Sequence, residues 1–153
     1  MVGRETRFGG QAMLIGDLGN SGAIPALEAA LKFAASRQKL IAHNIANADT
    51  PDFRVQDVDP AHFQQTLRKA VEQRRERTGG QQGGLSVGST RQMAFHADGR
   101  VELRPRTPSG NLLFHDRNDR DLERLMQANA ENVAAYRLSA ELLRSRFDLL
   151  RSA

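Results

Sequence analysis

Two apolar stripes, one near each end of the chain, set the strongest limit on what it can fold into. In the N-terminal third, Ile24, Leu27, Leu31, Ala34, Gln38, Ile41 and Ile45 follow one another at alternating steps of three and four. In the C-terminal third, Leu122, Met126, Asn129, Val133, Tyr136, Ala140, Leu143, Phe147 and Leu150 do the same. Such spacing lays each set along one face of a helix, as in a coiled-coil seam. Gln38 is the only polar member of the first stripe, and Asn129 the only fully polar member of the second. Leu40 and Phe33 lie off the first seam and widen its apolar surface, which suits packing among several helices better than a strict two-stranded coil. The expected fold is mainly α, with two long terminal heptad helices pairing as an antiparallel coiled-coil-like hairpin. In it Leu27, Leu31, Ala34, Ile41 and Ile45 pack on Val133, Tyr136, Ala140, Leu143 and Phe147. Truncating a fully buried Leu143 to alanine would cost about 2–5 kcal/mol.

The rest of the chain divides around these stripes. Residues 1–20 are punctuated by glycine and read as a flexible arm. Residues 21–49 hold the first long helix, with Ser21 as a cap and Pro25 tolerated in the first turn. Residues 50–59 form a turn and an extended segment. Residues 60–78 carry Phe63, Leu67 and Val71 four apart and read as a short helix. Residues 79–118 begin with the glycine break Gly79 to Gly84 and form a flexible or small-β segment, in which Val101 and Leu103 alternate with charge before Pro105 and Pro108. This middle third has too little apolar mass for a second stable domain. The second long helix fills 119–153, capped by Asn118 or Asp119, with Asp121 in its first turn.

Composition excludes several functions. The chain has no Cys, so disulfides and thiolate chemistry are out. The N-terminal region lacks the apolar core of a cleaved secretory signal, and no stretch is apolar enough to cross a membrane. None of His43, His62, His96 and His115 stands at a metal-ligand spacing, and the Asp57-x-Asp59 pair reads as turn and solvation residues before Pro60. No catalytic, cofactor or metal site is expected. The net charge is +4 and all but three of the 22 basic residues are Arg. The run Arg74-Arg75-Glu76-Arg77, with Arg68-Lys69 before it, is broken by Glu72 and Glu76 and has no aromatic residues to stack bases. It reads as a solvated helix end, not a nucleic-acid surface. Only 39% of residues are hydrophobic and 5% aromatic, as expected of a chain that covers much of its apolar surface only on assembly.

The sharpest local signal is LIAHNIANADTPDFR, residues 40–54. Pro51 pushes Thr50 out of helical geometry, so the helix ends by Ala48 or Asp49. Asn47 and Asp49 can bond back to the local backbone, and Pro51-Asp52 suits the centre of a turn. None of this explains Asn44, which sits inside the last turns where a neutral helix former would be cheaper. A side chain that holds another segment or subunit is one reason.

These residues resemble the N-terminal signature of the flagellar axial proteins, the rod and hook family. Asn44-Ile45-Ala46-Asn47-Ala48 and Thr50-Pro51 match it closely, Arg37-Gln38 matches upstream, and Arg54 with Asp57-x-Asp59 matches downstream. At the other end Gly110-Asn111, Glu123, Asn132 and Tyr136 resemble the family's C-terminal pattern. The short chain, without a large inserted domain, is similar to the proximal rod members, the B type ahead of the C type. One departure stands at Asp52-Phe53, where the family usually has Gly and then an aromatic. The segment between Asn111 and Leu122 is also atypical.

The resemblance implies a non-enzymatic structural subunit of the basal body rod, assembling helically and transmitting torque from motor ring to hook. It implies export through the flagellar type III apparatus without a cleaved signal, into a rod that crosses the periplasm. The implied partners are other copies of the chain, other rod proteins, the rod-base adaptor and the export gate, with no nucleic acid and no membrane insertion. The turn of Asn44, Asn47, Asp49, Thr50, Pro51, Asp52 and Phe53 becomes a candidate subunit contact. The rival class is a soluble helical adaptor or export-chaperone-like module, which predicts stable dimers.

Overall fold

The computed structural model describes residues 22–80, 82–96, 98–107 and 122–152. In them the chain forms α1 (Ile24–Ala46), α2 (Pro60–Thr78), β1 (Met93–Phe95), β2 (Val101–Leu103) and α3 (Leu122–Ser152). The arm over 1–20, the caps assigned to Ser21, Asn118 and Asp119, and Gly110-Asn111 lie outside these residues.

Helix α1 begins at Ile24 rather than at Ser21. Gly22 takes a left-handed φ of 58°, which interrupts a helical path, and the N-cap is Ala23, whose side chain can cap nothing. Pro25 then occupies the first turn. Helix α2 has better ends. The Asp59 carboxylate accepts from the Ala61 N–H at 2.8 Å, Pro60 opens the first turn, and Gly79 closes the helix at φ 69°, donating its N–H to the Arg75 carbonyl. Strands β1 and β2 pair antiparallel, Met93 opposite Leu103 and Phe95 opposite Val101, around a turn in which Gly99 has φ 80°.

The apolar core sits where these pieces meet. Phe33 of α1 stacks on Phe63 of α2 with ring centroids 3.9 Å apart and planes within 4°. Val58 and Met93 complete the buried cluster, and Ala30, Leu67, Phe95 and Leu103 pack around it. Phe95 lies 6.2 Å from Phe63. The middle segment, expected to be flexible or small-β, is therefore docked at its strands, residues 93–95 and 101–103. It has few apolar side chains, but the alternation of the hairpin points Met93 and Phe95 to one side, onto two phenylalanines that the helices supply.

Helix α3 runs antiparallel to α1: Gln38 meets Asn129, Ala34 meets Asn132, and Leu31 lines one groove with Ala140 and Leu143. Both terminal helices are thus long and paired as expected, but the stripe on α3 is not. The residues of α3 that are buried are Leu125, Asn132 and Ser139, seven apart and displaced from the expected seam. Val133, Ala140 and Leu143 are half-buried, whereas Tyr136 is 42% and Phe147 43% exposed. Two small polar side chains at the centre let the backbones approach, and the large apolar ones fall to the flank. The truncation cost expected for a fully buried Leu143 therefore does not apply. On α1 the expected seam is better placed, with Ala34 and Ile41 buried and Leu27, Leu31 and Ile45 half-buried.

Candidate functional site

Three polar linkages radiate from α1, and each uses a residue of the sequence motifs. The first starts at Arg37, which lies on the α1 face that also carries Phe33 and Asn44. Its guanidinium grips Asp57 through two bonds, Nε to Oδ1 at 3.0 Å and Nη2 to Oδ2 at 2.6 Å. The Arg37 side chain is buried, and that of Asp57 keeps a quarter of its surface in water. Asp57 also accepts from the Val58 N–H, and its backbone exchanges two 3.0 Å bonds with Arg106 just beyond β2. A single residue thus ties α1, the segment after the turn and the end of the hairpin. A bidentate Arg–carboxylate pair is directional as well as strong, so it orients these pieces.

The second linkage answers the question raised by Asn44. Its side chain is 1% exposed. The amide nitrogen donates to the Gln56 carbonyl at 2.6 Å, and the amide oxygen accepts from the Gln56 N–H at 3.2 Å. An Asn amide has both a donor and an acceptor, so it pairs with an extended backbone as a neighbouring strand would. With the Arg37–Asp57 pair, this side chain holds the segment that follows the turn alongside α1.

The turn between them is tight. Thr50 donates to the Asn47 carbonyl at 2.9 Å, and Phe53 to the Thr50 carbonyl at 3.2 Å. Pro51 stands at its second position and Asp52, with φ 59°, at its third. These are the requirements of a type II turn, for which Gly is the usual third residue and Asp a tolerated one. Asn47 donates its side-chain amide to the His43 carbonyl, and the His43 ring meets Phe53 edge-on at 5.8 Å. Asp49, Thr50, Pro51 and Asp52 are exposed, and Asn47 and Phe53 are half-buried. Of the seven residues proposed for the turn, Asn44 is the one whose side chain works within the chain and out of solvent.

The third linkage joins the two long helices. Asn132, 3% exposed, donates to the Ala34 carbonyl at 2.9 Å and to Gln38 Oε1 at 2.8 Å. Gln38 in turn donates from Nε2 to Asn129 Oδ1 at 2.7 Å. The lone polar members of the two stripes meet each other. Beside this network a polar cleft of about 500 Å³ lies between Arg37, Asp57 and Arg106 on one side and Arg124, Gln127 and Glu131 of α3 on the other.

Some functional side chains were not legible beforehand. Arg74, placed by its sequence in a solvated charge run, is buried: its Nη1 donates to the Gly22 carbonyl at 2.7 Å and so anchors the start of α1 to the end of α2. Nothing in a run of arginines marks which one turns inward. Gln56 acts through its backbone and left no sequence signal. At the hairpin, both titration shifts are minor surface effects. The Arg100 backbone N–H and then its guanidinium hold Asp98 below the usual carboxylate range, and Arg104 and then His96 do so for Glu102. Among the described residues no group of His, Asp and Glu is placed to hold a metal ion, and no helix is long and apolar enough to cross a membrane.

The family described as flagella basal body rod protein matches residues 26–54, which span α1 and the turn. The flagellar basal body rod protein FlgB of Salmonella typhimurium is 35% identical over 118 residues, covering 76% of this chain and 80% of its own. That of Escherichia coli K12 is 34% identical over 116 residues, covering 74% and 79%. That of Yersinia enterocolitica is 32% identical over 129 residues, covering 80% and 85%.

Proposed function

The chain belongs to the FlgB family of flagellar basal body rod proteins, structural and non-catalytic subunits, and from that premise we propose how its helices serve a rod. One observation supports the proposal most directly. The large hydrophobic side chains exposed among the described residues, Leu122, Met126, Tyr136, Leu138, Leu142, Phe147 and Leu149, all lie on α3. At 100° per residue they fall on both sides of the buried Leu125–Asn132–Ser139 line. Leu122, Met126, Tyr136 and Phe147 form one flank, and Leu138, Leu142 and Leu149 the other. A helix with large exposed apolar side chains on both flanks of its covered line is suited to lie among neighbouring helices.

In this reading α1 and α3 form the stiff part of each subunit, and the flanks of α3 meet other copies of the chain and other rod proteins. Heterologous contacts of this kind extend a helical assembly instead of closing a dimer. The exposed turn at Asp49–Asp52, with Asn47 and Phe53, is a second subunit contact, and Asn44 acts indirectly by fixing its position. The rod reading places the protein at the proximal end, beside the rod-base adaptor and export gate. There it leaves the cytoplasm through the flagellar export apparatus without a cleaved signal, crosses the periplasm as part of the rod, and carries torque from motor ring to hook.

The test is genetic and biochemical. A strain lacking the gene should be non-motile and yield no complete hook–basal bodies on fractionation, and the wild-type gene should restore both. An intact, rotating flagellum in the deletion strain would end the rod reading. Stable dimers of the purified chain would favour the adaptor alternative.

A further inference from the structure

The two long helices have a register problem that their apolar pattern does not solve. The α3 stripe repeats every seven residues over four heptads. Sliding α3 along α1 by one heptad, about 10 Å, lays a similar stripe over the same partner. Helix α3 packs chiefly on α1, so the other described elements do little to fix its axial position.

The polar residues are not periodic in this way. In the observed alignment Asn132 serves the Ala34 carbonyl and Gln38, and Gln38 serves Asn129. One heptad in one direction would put Leu125 and Leu122 in the places of Asn132 and Asn129, leaving the Gln38 amide against two leucines. One heptad in the other would put Ser139 and Tyr136 there, replacing two carboxamides by shorter or bulkier groups. Leaving the half-buried Gln38 amide unpaired costs more than an apolar mismatch on the flank.

We propose that Gln38, Asn129 and Asn132 are a register lock: positioning residues that select one of several heptad-related alignments of α1 and α3. The lock is a property of the single chain and goes beyond the rod reading. Its consequence for assembly, the axial height at which the α3 flanks meet their neighbours, rests on that reading.

The chain has no Cys, so two nitroxide labels can be placed uniquely, at the exposed positions Lys39→Cys on α1 and Glu141→Cys on α3. Pulsed electron–electron resonance on the full chain should give one narrow distance. In Gln38→Leu/Asn129→Leu/Asn132→Leu a second population should appear, displaced by up to about 10 Å, with helix content retained. In the exchanged variant Gln38→Asn/Asn129→Gln, which keeps a donor facing an acceptor, the single distance should return. A single unshifted distance in the triple variant would overturn the lock. If the triple variant does not fold, the same labels are read in Gln38→Leu/Asn132→Leu, which removes all three bonds of the network: there a second population supports the lock, and one unshifted distance overturns it. Because the readout is a distance within the chain, its failure would leave the rod reading untouched, and loss of motility alone would not count for the lock.

Discussion

The two sides of α1 are built on opposite plans. One side carries Phe33, Arg37 and Asn44 against α2, the hairpin and the segment after the turn. It is closed: stacked rings, a fully buried Met93, and polar groups paired within the chain. The other side meets α3 over a seam whose deepest α3 members are one leucine, one asparagine and one serine. It is open, with the larger apolar side chains left on the flanks. In the proposed rod the closed side makes a subunit and the open side a joint. Here the apolar mass nearest the middle goes to the fold while the large apolar side chains of α3 stay exposed.

Mutations can break this contrast in order of size. Phe63→Ala removes the ring between Phe33 and Phe95 and should cost about 3–5 kcal/mol of unfolding free energy in urea denaturation. Arg37→Met leaves the Asp57 carboxylate without its partner. It should cost about 3 kcal/mol, the low end for a buried pair, because Asp57 retains some water. Asn44→Ala should cost about 1–2 kcal/mol by freeing the Gln56 backbone groups, with faster amide exchange at Gln56 as its signature. On the open side Phe147→Ala should change the stability of the isolated chain by less than about 1 kcal/mol, since its ring is already partly in water. It should nonetheless reduce the amount of the chain recovered in basal bodies. A large stability loss at Phe147 combined with a small one at Phe63 would invert the comparison.

The smallest effect sharpens a point of backbone geometry. Asp52→Gly should raise stability by about 0.5 kcal/mol, because φ 59° strains an L side chain more than it strains glycine, partly offset by the extra freedom of glycine in the unfolded chain. Asp52→Val should lower it by about 1–2 kcal/mol. Thermal melts of the two variants bracket the cost of having Asp at this left-handed position.

How much of this was legible beforehand varies element by element. The long helices and the short helix between them were readable from apolar spacing, and the stop at the end of α1 from Thr50-Pro51. Arg37, Gln38, Asn44 and Asn132 stand in the motifs that the sequence singles out, whereas Asp57 reads there as a turn and solvation residue and instead holds the buried Arg37. The partners of these residues were not readable. Arg37 and Asp57 are 20 residues apart, and Asn132 and Gln38 are 94 apart. No local pattern says that one closes on the other. The same limit explains the displaced stripe on α3, since periodicity specifies that a face exists but not which of two adjacent lines turns inward.

The amino-acid order by itself determined the local conformations: heptad spacing, a proline stop, an Asp–Pro helix start and a glycine end act over a few residues and need no other segment. The tertiary structure alone decided which polar groups are buried and with whom. A buried Arg37, Asn44 or Asn132 is tolerable only where a distant chain segment brings the matching donor or acceptor. That pairing is a property of the folded packing, and it makes one side of α1 a closed core and the other a seam with apolar flanks.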